Sequence, residues 1–535
     1  MNDKATSAVV PNPKADVAAK AKRKRGRRPP LSERTLAPHQ PGKPLSNSAL
    51  TAYASPGVTI QVRGKQRITW HPQAHRDKSL LPRNLSDGIN DKLGPINADN
   101  QTELVLGLDF GTSSTKVVIA DRSTQKAYAV PFRNLVGIGC YLLPSQVSVL
   151  DGIYRLDHQG YVLDDLKLAM LGNMSNSDVN ERVCAYLALI IRSARAWLFS
   201  KHAERYRGKD LVWSLALGQP ADQSTSESSR AHFDRLGRAA WALAGGEGDI
   251  TVNRCSAAWS LATKDDLQDL DVEVLVMPEL AAQIHGFVSS GHFDPRDRNF
   301  YLMVDVGAGT VDACLFRVVK RNLGMFDFEL FTNSVEANGA ASMHRFRIDW
   351  WQQRLSPLPH CADLVDQLEK IKFPTELRGP FPHKYSDYFA GAVAHFEKGQ
   401  KNPDEQFFDR LRRQVVGDVL FGAYKKNLLS QQDVKGVPYF LCGGGASHPI
   451  FQQIKSALSY TPGCTWLHAV QRELAQPKDL VAKGLTSSDY HRLSVAFGLS
   501  KLNLKKVKQV EAILPLTPTE TKTRWDSYYV SKDAC

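Results

Sequence analysis

Two stretches of the chain share one pattern of apolar and polar positions. Leu104 to Phe110 is an apolar run that ends in Asp109, passes through Gly111-Thr112-Ser113-Ser114, and returns through the apolar run Val117 to Ala120. Tyr301 to Val306 repeats this with Asp305, a turn Gly307-Ala308-Gly309-Thr310, and a second run from Val311 to Phe316. Strand, glycine-containing polar turn and strand predict a hairpin in each place. The two acids stand 196 residues apart, a repeat on the scale of a domain rather than of a solenoid. Each turn combines a carboxylate, glycine and hydroxyl residues, so its backbone N–H groups can converge on an anion while the acid holds Mg²⁺ through water. The bland alternative for either turn alone is a buried hairpin with a polar tip.

Between and after the hairpins the periodicity alternates between strand and helix. Short strands are expected near Ala127–Pro131, Gln146–Arg155, Leu211–Leu217 and Val272–Val276. Asp178 to Arg205 has helical spacing, with Val183, Tyr186, Leu187, Ile190, Ile191, Ala194 and Leu198 on one face. Further helices are expected over Thr225–Ala244, from Pro278-Glu279 to Phe287, and over Asp489–Leu502, and the stretch 340–435 reads as helical and charged. Pro438 to Cys442 is a strand that runs into Gly443-Gly444-Gly445-Ala446, with Pro449 at a helix start. These alternations predict an α/β protein. Its parts are a basic, mostly disordered arm over 1–100 with a short hairpin at 58–70 around Gly64, a first lobe over 103–290, a second lobe over 299–505 with a helical subdomain at 340–435, and a tail at 506–535.

Charge sharpens the boundary near residue 100. The whole chain carries +13, and residues 1–100 hold 18 Lys/Arg against 7 Asp/Glu, a net of +11 that leaves +2 for the rest. The densest run is Lys20 to Pro30, in which Lys24-Arg25-Gly26-Arg27-Arg28 resembles an AT-hook, with Arg28 standing where that motif has proline. Its readings are an A·T minor-groove contact, a general DNA or polyanion tether, a nuclear or nucleoid address, or a solvated tail. The eight cysteines form no CxxC pair and fit a reducing compartment, which makes the cytoplasm the expected location. No stretch approaches the roughly 18 uninterrupted apolar residues of a membrane span, and no membrane is expected among the partners.

Three glycine motifs in this order resemble the nucleotide site of the actin, sugar-kinase and heat-shock protein 70 superfamily: two phosphate hairpins, then an adenosine strand-turn-helix. Met277-Pro-Glu279-Leu-Ala-Ala resembles the connecting helix of the DnaK-type chaperone ATPase domain, and Glu369-Lys-Ile-Lys372 resembles its adenine-contacting helix. That resemblance covers about Glu103 to Lys505 and implies a two-lobed actin-like ATPase fold made of duplicated ribonuclease-H-like domains. It implies ATP/ADP and Mg²⁺ as ligands. Asp109, Gly111, Thr112 and Ser113, with Asp305, Gly307, Gly309, Thr310 and Asp312, would hold the phosphates, and Asp109 and Asp305 would hold the metal's water shell. Gly443, Gly444, Gly445 and Ala446 would lie against the adenosine, with Glu369 and Lys372 on the base and ribose. Lys167, in Val162 to Gly172, is the expected organiser of the attacking water, and Glu279 is the acid of the connecting helix, with proline before it where the family usually has proline after. The 30 residues 506–535 are too few for the family's peptide-binding domain and lid. The implied function is a slow Mg-ATP hydrolase that serves as a switch or chaperone-like scaffold read by a protein partner. A small-molecule kinase of the same superfamily and an actin-like or nucleic-acid-associated structural protein are the alternatives.

Overall fold

A computed structural model describes residues 51–70, 79–89, 97–157, 159–220, 226–267, 270–288, 298–320, 326–372, 380–501 and 504–509. All belong to one compact unit that begins at Ala49. The fold is mixed α/β. Its first large sheet runs Glu273–Pro278, Lys209–Gln219, Asn97–Phe110, Ser114–Asp121, Lys126–Ala129, Leu480–Val481, with Leu143–Pro144 added beside Ser114–Asp121. The second runs Ala469–Gln471, Val437–Cys442, Phe300–Val306, Val311–Lys320, Phe326–Glu336, Leu504–Gln509. Pairing directions agree strand for strand. In both sheets the order is parallel, parallel, antiparallel, antiparallel, parallel.

Alternation along the strands builds the layers, because successive side chains leave opposite faces of a sheet. Leu104, Leu106, Leu108, Phe110, Val117 and Ile119 enter one core with the helices Ser177–Tyr206, Glu227–Gly245 and Val252–Thr263. Val105, Val118 and Ala120 leave the other face, and they share a second core with Tyr301, Met303, Cys314 and Phe316 of the second sheet. Helices Glu279–Val288 and Ser494–Lys501 fill that shared layer. Leu302, Val304, Val306, Val311, Ala313 and Leu315 face a third core with Pro403–Arg412 and the π-helical turn Arg413–Phe421. The two central helices cross at Gly498, where any Cβ would drive into the Ala282 carbonyl. Helix Ser177–Tyr206 is long and apolar enough to cross a membrane by length and composition, and 89% of its apolar window is buried inside the protein, as in a core helix.

Several sequence expectations need correction. Residues 58–70 do not fold about Gly64: Val58–Ile68 is one strand, and the hairpin partner is Thr51–Ser55. Phe389–Phe396 pairs with its other edge, and a fourth core with Trp350, Trp351, Leu364 and Leu368 covers this small sheet. The alternation around Gly64 reads as two short arms because a glycine in a strand looks the same as a turn. Leu81 donates its N–H to the Phe132 carbonyl at 2.9 Å and Arg83 Nη1 bonds Ser193 Oγ at 2.8 Å, so 79–89 docks on the first sheet's side. The stretch 340–435 is not wholly helical, since Phe389–Phe396 interrupts it. Asp489–Leu502 is not one helix either: a 3-10 turn Ser487–Arg492 precedes helix Ser494–Lys501. The seven described cysteines are buried, free thiols.

Candidate functional site

The first hairpin holds Asp109 directly across the strands from Lys116, whose Nζ bonds Asp109 Oδ2 at 3.0 Å. The turn between them is tied from outside. Ser145 donates its hydroxyl to the Gly111 carbonyl at 2.6 Å and its N–H to the Ser113 carbonyl at 3.2 Å. A trans peptide sets C=O and the next N–H on opposite sides, so the N–H groups of Thr112 and Ser114 turn away from Ser145. Gly111 is required by crowding: a Cβ there would lie 2.5 Å from the Ser114 carbonyl oxygen and 3.2 Å from Lys116 Nζ.

In the second hairpin Asp305 faces Asp312 across the strands. Its turn is closed by the Gly307 N–H donating to the Thr310 carbonyl at 2.9 Å. Here the outside tether is a helix. The carbonyls of Gly307, Ala308 and Gly309 accept from the N–H groups of Ala340, Ala341 and Gly339 at 3.1, 2.7 and 3.1 Å, and Ser342 Oγ adds a bond of 2.7 Å to the Gly309 carbonyl. Three otherwise unpaired donors at the start of helix Ala340–Leu355 are thereby satisfied. By the same peptide geometry the N–H groups of Ala308, Gly309 and Thr310 point away from that helix, a set of donors suited to an anion.

A buried ion pair stands beside both turns. Lys167, on helix Leu166–Gly172, is 5% exposed, and its Nζ lies 2.7 Å from Glu279 Oε1 on the first turn of helix Glu279–Val288. Burial alone would lower the Lys167 ammonium. Glu279 first, then Asp109 and Asp312, overturn this and hold it above its ordinary value. Gly218 makes room for Glu279, since a Cβ there would sit 2.7 Å from Glu279 Cγ. Gly309 of the second turn lies near Leu168 and Thr112: a Cβ on it would meet Leu168 Cδ1 at 3.4 Å and Thr112 Cγ2 at 3.9 Å. The hairpin tips and Lys167 are therefore neighbours.

Asp305 is a perturbed acid. Burial, then the charges of Glu279 and Asp109, push its carboxyl up to about 6, against the opposing pull of Lys116 and of a 3.1 Å hydrogen bond from Gln283 Nε2. Gly443 seals this side with φ +86°, and a Cβ on it would collide with the Asp305 carboxylate. The Gly445 N–H bonds the Val306 carbonyl at 2.9 Å, which fixes the glycine turn on the second hairpin, and Ala446 is buried beneath it.

Glu369 and Lys372 have a different setting. Gln352 Nε2 donates to Glu369 Oε2 at 2.8 Å, and Lys372 Nζ reaches Asp349 Oδ1 at 2.5 Å and Glu369 Oε2 at 3.9 Å. The partners seen for this pair lie on helix Ala340–Leu355, not on Gly443–Ala446. Lys24, Arg25, Gly26, Arg27 and Arg28 lie outside the described residues. The sequence pattern assigns no role to Ser145, Gln283, Arg492 or Lys116. Lys116 could have been found from strand register, since a turn of four residues sets it opposite Asp109. Arg492 has no local signal, because its charge reaches Asp109 and Asp305 only through the fold.

Among the described residues no group of three or more His, Cys, Asp or Glu side chains is gathered to hold a metal ion directly. The acids fit a cation held more loosely. Asp305 is crowded by Glu279 and Asp109, so positive charge between them would relieve the repulsion, and oxygen donors few in number suit Mg²⁺ with several waters retained. A comparison with protein-family models finds no matching family, and a comparison with curated proteins finds no significant match. The class established for the chain is thus its mixed α/β fold with two sheets of identical strand order.

Proposed function

We propose that the chain is a Mg-ATP-binding protein of the actin, sugar-kinase and heat-shock protein 70 superfamily, two-lobed through duplicated ribonuclease-H-like domains. On this reading it hydrolyses ATP slowly and acts as a nucleotide-dependent switch or chaperone-like scaffold read by a protein partner. One observation carries the reading: two sheets with the same strand order each present an acid-bearing glycine turn, and the turns meet beside one lysine–glutamate pair.

The chemistry follows from charge. Phosphoryl transfer needs positioning and positive potential around the phosphates more than covalent help. The N–H groups of Thr112, Ser114, Ala308, Gly309 and Thr310 would receive phosphate oxygens, with Thr112 and Ser113 hydroxyls as further donors. Lys116 adds a cation at the first turn. Bound Mg²⁺, held through water by Asp109 and Asp305, would screen the phosphate charge. Lys167, kept charged by Glu279, would orient the attacking water. The water oxygen bonds the γ-phosphorus as the bond to the ADP oxygen breaks, and the water's proton passes to a site carboxylate or to solvent. Gly443 to Ala446 would let the adenosine approach backbone.

ATP affinity and turnover with Mg²⁺, measured for the wild type, Asp109→Ala and Asp305→Ala, test the proposal. Binding by the wild type with loss of turnover in both variants is expected. A wild type that binds no ATP defeats the reading, while binding without hydrolysis keeps the switch and removes the role of Lys167.

A further inference from the structure

Arg492 ends the 3-10 turn Ser487–Arg492 that leads into the central helix Ser494–Lys501. Its guanidinium lies along the glycine turn: a Cβ on Gly444 would be 3.1 Å from Nη2. The preceding residue anchors the same segment, since His491 Nδ1 bonds the Ser488 carbonyl at 2.8 Å and the backbone of Gly443 also acts on its ring. Arg492 is only partly exposed, and burial lowers its affinity for the proton, opposed by Asp489, Asp109 and Asp305. Neither a hydrogen bond nor an ion pair joins this guanidinium to the protein among the described residues. A partly desolvated cation that no protein acceptor holds keeps its N–H donors open to an anion. Its planar fork of N–H donors matches phosphate oxygens.

We propose that Arg492 binds the diphosphate portion of a nucleoside di- or triphosphate, opposite the two hairpin turns. The proposal rests on the ATP reading above and adds a cation from a third element of the chain. It also connects the phosphates to helix Ser494–Lys501, which crosses helix Glu279–Val288 at Gly498.

The test titrates the full chain and its Arg492→Gln and Arg492→Lys variants with ADP, inorganic pyrophosphate and adenosine, by calorimetry with thermal shift as a cross-check. Arg492→Gln should lose about 10- to 100-fold in affinity for ADP and pyrophosphate, the size of one to two charge-assisted bonds, and keep adenosine affinity unchanged. Arg492→Lys should recover part of the loss. If Arg492→Gln binds ADP as the wild type does, or loses adenosine and ADP equally, the role of Arg492 is overturned while ATP binding stands. If Arg492→Gln does not fold, Arg492→Lys decides alone: a several-fold ADP defect with intact adenosine binding supports the proposal, and equal affinities sink it. If the wild type binds none of the three ligands, the ATP reading itself has failed, and the proposal with it.

Discussion

The two hairpins have the same strand register and opposite charge logic. In each, the residue seven positions after the strand-ending aspartate stands directly across from it. In the first hairpin that residue is Lys116, which pairs with Asp109 at 3.0 Å. In the second it is Asp312, and Asp305 gets a neutral partner in Gln283 instead. The outside tethers differ as well: one serine, Ser145, holds the first turn, while the start of helix Ala340–Leu355 holds the second. A duplicated frame can thus divide labour. One turn carries its own cation. The other concentrates negative charge, and so favours a cation from outside.

Exchanging those charges is the sharpest way to break the contrast. Lys167→Ala should have the largest effect, a fall in ATP turnover of about 100-fold or more with nucleotide affinity changed only a few-fold, read by single-turnover kinetics beside equilibrium binding. Equal losses in binding and turnover would show that Lys167 holds the nucleotide rather than the water. Lys116→Asp makes the first hairpin a charge copy of the second. Like charges across a strand pair repel, and affinity for ADP should drop about 10- to 100-fold; unchanged affinity would deny Lys116 any part in phosphate binding.

The acidic hairpin predicts a pH dependence. The Asp305 carboxyl is raised to about 6, chiefly by burial and then by Glu279 and Asp109. Below that pH it is protonated in the folded chain, and the acid's contribution favours the fold. That contribution is lost as pH rises from the ordinary carboxylate range through about 6, because the folded state then ionises at a cost the unfolded state does not bear. Mg²⁺-dependent nucleotide binding should run the other way and strengthen as Asp305 ionises. Glu279→Gln removes the largest of the repelling charges, so the midpoint should move to lower pH, and Asp305→Asn should abolish it. A profile flat through pH 6 in the wild type would contradict this.

The smallest effect is expected from Gly309, the least crowded of the glycines in the three turns. Gly309→Ala places a methyl 3.4 Å from the end of the Leu168 side chain and should change turnover by less than about 3-fold, whereas Gly443→Ala combines φ +86° with a collision against Asp305 and should cost far more. Comparable defects in the two variants would undo that distinction.

Local pattern made the frame legible. Alternation placed both hairpins, the long helix and the strand before Gly443, because each is a continuous run with one period. Chemistry that depends on one element's own sequence, such as an acid at a strand end followed by glycine, was legible for the same reason. What escaped depends on meetings between distant segments. Val58–Ile68 sits in a basic, polar region and is stabilised by pairing with Phe389–Phe396 and by packing with Trp350 and Trp351, none of which is near in sequence. Lys167 is marked in the sequence only by resemblance, because its partner Glu279 lies 112 residues away along the chain. Arg492 stands just before a break between a 3-10 turn and a helix, where periodicity suggests one continuous helix and gives the arginine no direction.

Equilibrium binding of ATP to the chain, with and without Mg²⁺, is the decisive measurement. Saturable ATP binding strengthened by Mg²⁺ is expected, weakened in Asp109→Ala and Asp305→Ala while both variants keep the wild-type fold. A folded wild-type chain that fails to bind ATP at millimolar concentration with Mg²⁺ present would contradict the ATP reading.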